Sequence, residues 1–269
     1  MTGSTGVTGV EPRGSFFAVD AQGFLINPCR RNLIQPRWDD AVQAVIDTYR
    51  QRLGPKLDSV YLRGSVPCGT AIEGVSDLDS VALVLDQDEA EVPDWALEAD
   101  VDLCDRFPFV SGFELWTMPR RTLLLAEGAD PFRFVLKTQG LCVEGPDILP
   151  ELPRCRVDGR AIQHLPHLAE DLEGLEDDWA AGVEPVEAEE ICTWMCKRLV
   201  RAGLELVLPE EGRYSRDLWP CYEAFSSRHP DMEPAMRQAL EWAVRPTDMV
   251  EPVRRLSHEL VDWFGRQPA

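Results

Sequence analysis

The stretch YLRGSVPCGTAIEGVSDLDSVALVL, Tyr61 to Leu85, decides how the rest of the chain is read. The β-rich run Ser59 to Leu62 predicts a short strand that ends at Arg63-Gly64-Ser65. A glycine-containing connection follows, and Asp77 to Leu85 predicts a second strand. Residues i and i+2 of a strand point to one face, so Asp77 and Asp79 present two carboxylates side by side beside a strongly apolar run. Adjacent carboxylates repel, and a hard divalent cation with oxygen ligands relieves the repulsion. Gly64 and Ser65, one strand away, are small enough for backbone N–H groups and a hydroxyl to approach a phosphate closely.

Downstream, Phe113 to Met118 (FELWTM) predicts a third strand. Glu114 stands in it as a lone carboxylate among apolar neighbours, a costly placement unless something pairs with it. If this strand lies beside the Asp77–Asp79 strand, three carboxylates converge, with metal positions and a group able to deprotonate a hydroxyl. Each piece alone has an ordinary reading: a solvated strand start, a turn, an edge-strand charge facing water. The combination favours chemistry at Asp77, Asp79 and Glu114.

Around this centre, helical spacing of Trp38, Val42, Val45, Ile46 and Tyr49 predicts a helix over about Pro36–Leu53, stopped by Gly54-Pro55. A helix over Pro131–Gly140 closes a half of mixed helices and strands. The second half has almost no strand signals. Glu189–Val207 is its clearest helix, with a stripe of Ile191, Met195, Leu199, Ala202 and Leu206. Further helices are expected near 218–226, 234–244 and 250–264. The fold class is therefore α+β: residues 16–155 form a domain with a small mixed sheet and flanking helices, and 156–269 an all-helical bundle. Residues 1–15, polar and without an apolar core, are expected to be a mobile tail rather than a secretion signal.

The chain has 269 residues, 44% of them hydrophobic, enough for a real core. No run of about 18 apolar residues is present, so no membrane span or membrane partner is expected. With 47 Asp plus Glu against 27 Lys plus Arg, the formal charge is −20, which disfavours a nucleic-acid partner and suits a cationic small one. Glu73–Asp105 and Glu170–Glu190 contain no Lys or Arg, and most of their acids are expected on solvated surface. The eight cysteines are scattered without a C-x-x-C, which suggests reduced thiols in a cytoplasmic protein. His164 and His167 read as a loop pair rather than a zinc site.

Gly64-Ser65 followed by Ser76-Asp77-Leu78-Asp79 resembles the signature of the DNA polymerase beta-like nucleotidyltransferases, over about residues 58–118. Within that superfamily the arrangement is similar to the aminoglycoside adenylyltransferases that act on streptomycin and spectinomycin. The resemblance implies transfer of a nucleoside monophosphate, AMP from ATP by family default, to an acceptor hydroxyl with release of pyrophosphate. It implies Mg²⁺, as a pair of ions, on Asp77, Asp79 and Glu114, with Glu114 as the base. Gly64, Ser65 and Ser76 are then the phosphate-binding turn residues, Arg198 and Arg216 the nucleotide contacts of the helical half, and Asp178-Trp179 part of the acceptor site. Arg216 stands where the family has Lys, and its spacing from Arg198 is longer than the family's. Two alternatives keep less of this: the same chemistry on a protein partner, as in toxin–antitoxin pairs, or a catalytically silent nucleotide-binding sensor.

Overall fold

The computed structural model describes residues 10–85, 90–125 and 131–267. The chain divides into two compact units, residues 18–156 and a second made of the N-terminal residues through Phe17 together with Val157 onward. Of the expected tail, residues 1–9 lie outside the described residues, as do 86–89 of the first acidic segment.

The 18–156 unit runs α1 (Asp39–Leu53), β1 (Leu57–Arg63), α2 (Ser65–Cys68), β2 (Leu78–Val84), α3 (Ala96–Arg106), β3 (Phe113–Pro119), α4 (Arg120–Leu125), α5 (Pro131–Gln139) and β4 (Leu141–Glu144). The four strands form one mixed sheet in the order β3-β2-β1-β4. β2 and β3 are parallel, whereas β1 is antiparallel to both β2 and β4. The sequence pattern missed β4, α2 and α4, whose runs are too short for periodicity to register.

The period-2 alternation sorts each strand between two cores. Val60, Leu62, Leu78, Ala82, Phe113 and Leu115 pack with Trp38, Val42, Val45, Ile46 and Tyr49 and with Ala99 and Leu103 of α3. Tyr61, Val81, Leu83 and Met118 pack on the opposite side with Leu123, Leu136, Ile148 and Leu152. The stripe expected of α1 is buried throughout. Asp39 and Asp40 occupy its first turn and Arg50 and Arg52 its last, each sign favoured by the helix dipole there.

The second unit contains α6 (Leu168–Ala181), α7 (Pro185–Glu211), α8 (Leu218–Arg228), α9 (Glu233–Val244) and α10 (Val250–Gly265). Instead of a narrow stripe, α7 buries most of its circumference from Leu199 to Leu208, as a helix surrounded by others does. Most acids of Glu170–Glu190 are exposed, as expected, on a segment that is mostly helix, while Asp171 and Glu176 are paired to Arg198 and Arg254. His164 lies in a loop, as expected, and is buried there against Glu205. Residues 14–17 belong to this unit. The Ser15 N–H donates to Asp217 Oδ2 at 2.9 Å, Ser215 Oγ donates to the Ser15 carbonyl at 2.8 Å, and the Phe17 N–H donates to the Tyr214 carbonyl at 2.8 Å. Among the described residues, no helix is long and apolar enough to cross a membrane.

Candidate active site

The register of the sheet creates the site. Arg63 is opposite Asp79, and Asp79 is opposite Glu114, so one residue from each of β1, β2 and β3 lies in a single row. By the alternation of side chains this row has the parity of Tyr61, Val81 and Trp116. It continues the second core face to the end of the sheet, where the apolar cover stops and charged groups replace it. Asp77 immediately precedes β2 and is exposed.

Arg63 Nη2 lies 2.6 Å from Glu114 Oε1 and 3.2 Å from Asp79 Oδ1. The Arg63 and Asp79 side chains are 21% and 12% exposed, so that contact is shielded, whereas Glu114 is 37% exposed and open to solvent on one side. Burial works to raise the Glu114 pKa, but hydrogen bonding with Asp79 and the charge of Arg63 outweigh it and hold the carboxyl below its usual value. Burial likewise disfavours the Arg63 cation, and the charges of Asp79, Glu114 and Asp77 more than compensate. Sequence reasoning assigned no role to Arg63. Its signal was a cation at the end of an otherwise apolar strand, one register step from an expected carboxylate.

Behind the row, Ser80 Oγ donates to the Glu114 carbonyl at 2.9 Å. The Tyr49 hydroxyl lies 3.0 Å from both Ser80 Oγ and the Trp116 carbonyl. These buried bonds tie α1, β2 and β3 together at the level of the carboxylates.

Gly64 follows Arg63 with φ +79° and ψ −150°, a conformation that side-chain-bearing residues avoid. A Cβ there would lie 2.3 Å from Asp79 Oδ2. Gly64→Ala is therefore expected to cost about 1–3 kcal/mol through the backbone alone and to displace Asp79. Denaturant unfolding, together with ligand binding at the site, would measure the two effects. Ser65 Oγ is buried beside this turn with no hydrogen-bond partner among the described residues. A buried hydroxyl left unpaired is costly in a finished core but useful where a ligand completes it. Ser76 instead closes its own turn, its Oγ accepting from the Ile72 N–H at 2.9 Å.

Among the described residues no three His, Cys, Asp or Glu side chains stand ready around one metal position. The donor chemistry nonetheless suits a hard cation. Asp77, Asp79 and Glu114 offer only oxygens, and the glycine beside Asp79 leaves room that any side chain would take.

The candidates of the helical unit are described within that unit. Arg198 Nε donates to Asp171 Oδ2 at 2.6 Å, and its guanidinium lies 4.8 Å from the Trp194 ring centroid. Its ion-pair partner is thus Asp171 of α6. Arg216 Nη1 donates to Gln163 Oε1 at 3.1 Å, and Arg201 Nε donates to the Arg216 carbonyl at 3.2 Å. Asp178 and Trp179 lie in the last turn of α6, the first exposed and the second packed against the Cys192, Cys196, Ala243 and Val253 cluster.

No family model matches the sequence, and no curated protein does. Among solved structures, the chain is similar to the spectinomycin adenyltransferase of Enterococcus faecialis, crystallised with ATP and spectinomycin. The TM-score is 0.53 at 14% identity, over 84% of this chain and 99% of that one. At that identity the likeness shows the fold alone, a small mixed sheet with flanking helices and a helical C-terminal region.

Proposed function

We propose that this chain is a nucleotidyltransferase that moves AMP from ATP to a hydroxyl of a small cationic acceptor, of which an aminoglycoside is the leading candidate. The observation that carries the reading is the row in which Asp79 and Glu114 stand side by side at the sheet end. It adjoins a glycine turn whose serine hydroxyl is buried without a partner. The fold shared with an adenyltransferase crystallised with ATP and spectinomycin supports the nucleotide and the acceptor class.

In this reading Asp77, Asp79 and Glu114 would hold Mg²⁺, which when bound neutralises phosphate charge and organises in-line displacement. The residues of the chain do the rest. Glu114, kept ionised by its neighbours, accepts the proton of the acceptor hydroxyl as that oxygen attacks the α-phosphorus. Ser65 donates to a phosphate oxygen, and Gly64 lets the backbone approach the phosphate tail; Ser76 holds the turn that leads into Asp77. Arg216 and Arg198 supply positive charge to the departing pyrophosphate, Arg198 by exchanging Asp171 for phosphate. Asp178 and Trp179 contribute a carboxylate and a ring to the acceptor. The net charge of −20 favours a polycationic acceptor over a nucleic acid.

The direct test is pyrophosphate release by the full chain with Mg²⁺, ATP, GTP, CTP or UTP, and a panel of aminoglycosides including streptomycin and spectinomycin. Release is expected with ATP and only when an acceptor is present. Nucleotide binding that is indifferent to divalent cations, with no release on any acceptor, would remove the reading.

A further inference from the structure

Arg63 has no place in the chemistry above, yet it contacts two of the three carboxylates directly. Its Nη2 touches Glu114 Oε1 at 2.6 Å and Asp79 Oδ1 at 3.2 Å, so a single nitrogen bridges the two oxygens. The backbone register fixes that placement, because Arg63 and Glu114 flank Asp79 on adjoining strands. The negative charge of Asp77 also acts on the guanidinium. A hard cation binds carboxylate oxygens at about 2.0–2.1 Å. A cation that takes Asp79 Oδ1 and Glu114 Oε1 as ligands must therefore displace the guanidinium nitrogen that stands between them.

We propose that Arg63 is a built-in counter-ion of this site, holding Asp79 and Glu114 together, and that a divalent cation enters by exchange with its guanidinium. This deepens the reading of Asp77, Asp79 and Glu114 as a cation site and rests on it. The exchange has a cost that weakens binding of the free cation, because the ion must break a shielded, charge-assisted pair before making its own contacts. It also keeps three mutually repelling carboxylates compatible with a folded sheet when no ion is bound. Arg63 is thus a positioning residue that tunes the affinity of the site, not a ligand.

The test uses Mn²⁺ as the probe, without nucleotide, and reads the free ion by electron paramagnetic resonance. Arg63→Gln is expected to bind Mn²⁺ at least about tenfold more tightly than the wild type, because nothing has to be displaced. Arg63→Lys is expected to lie between them. In the wild type, the Nε–H resonance of Arg63 is expected to shift as Mg²⁺ saturates the site. Equal or weaker Mn²⁺ binding by Arg63→Gln would overturn the proposal, as would an unmoved Arg63 resonance at saturating Mg²⁺. If the Gln variant does not fold, the Lys variant and the resonance decide. Tightened binding with no nucleotidyl transfer would keep this inference and remove the enzymatic reading. Unchanged affinity in Arg63→Gln, with Mn²⁺ binding that Asp79→Asn abolishes, would do the reverse. Absence of Mn²⁺ binding in wild type and variant alike would overturn both.

Discussion

Asp79→Asn is expected to lower acceptor-dependent pyrophosphate release by at least about 10²–10³-fold, or roughly 3–4 kcal/mol of transition-state stabilisation. Asp79 is the middle member of the row, with Arg63 on one side and Glu114 on the other. Its charge serves the proposed cation, and its contact with Arg63 holds the neighbouring carboxylate in register. Asparagine preserves the shape, and the stronger Arg63–Glu114 contact remains, so circular dichroism and the melting temperature should change little. Steady-state release rates measured beside an unfolding curve separate the two effects. Near-normal turnover in Asp79→Asn would remove Asp79 from the chemistry.

The second large effect lies in the helical unit and concerns stability. Glu205 Oε2 accepts the backbone N–H groups of His164 and Leu165, each at 2.8 Å, and Oε1 meets His164 Nδ1 at 2.7 Å. Its side chain is 4% exposed. Glu205→Ala leaves two backbone donors and an imidazole N–H without their acceptor, at about 1–3 kcal/mol for each donor that stays unpaired, and is expected to cost at least about 3 kcal/mol. Chemical denaturation would measure it. The pH dependence has a definite sign. Burial holds the His164 pKa below its ordinary 6.5, with Glu205 opposing it only in part. His164 is therefore neutral in the folded state, with Nδ1–H donating to Glu205. Stability from this residue is complete above pH 6.5 and declines as the pH falls from there toward the depressed folded value. Burial works to raise the Glu205 pKa, but His164 and the backbone donors prevail and hold it below 4.5, so its own contribution is lost at still lower pH. The melting temperature should be flat from pH 7.5 to about 6.5 and fall as the pH drops below that. A flat profile would mean that the pair does not couple to folding.

The three strands of the site were legible because each is a short apolar run with one misplaced polar feature. The Asp-x-Asp start of β2 and the lone glutamate of β3 announced themselves through the cost of putting carboxylates beside apolar residues. Their adjacency depends on strand order and direction, which no local pattern encodes; it was conditional in the sequence and is fixed by the β2–β3 register. Arg63 escaped notice for the same reason, since an arginine at a strand end is ordinary until an antiparallel partner brings a carboxylate opposite it. In the helical unit, periodicity found α7 to α10 but neither α6 nor the polar interior. Glu205 lies on a buried helix where its charge is satisfied by a segment some forty residues earlier, a pairing visible only in the fold. Arg198 likewise has its carboxylate on a different helix.

The hydrogen bonds that seat residues 15–17 on Tyr214–Asp217 carry a consequence for biosynthesis. Ser15 and Asp217 are 202 positions apart. The residues of the sheet unit are contiguous, and its strands meet all their partners once residue 156 has left the ribosome. The helical unit must wait with its first segment already synthesised but unpaired until Asp217 emerges. Translation thus imposes an order, with the nascent chain able to complete the carboxylate row before the N-terminal segment finds its seat.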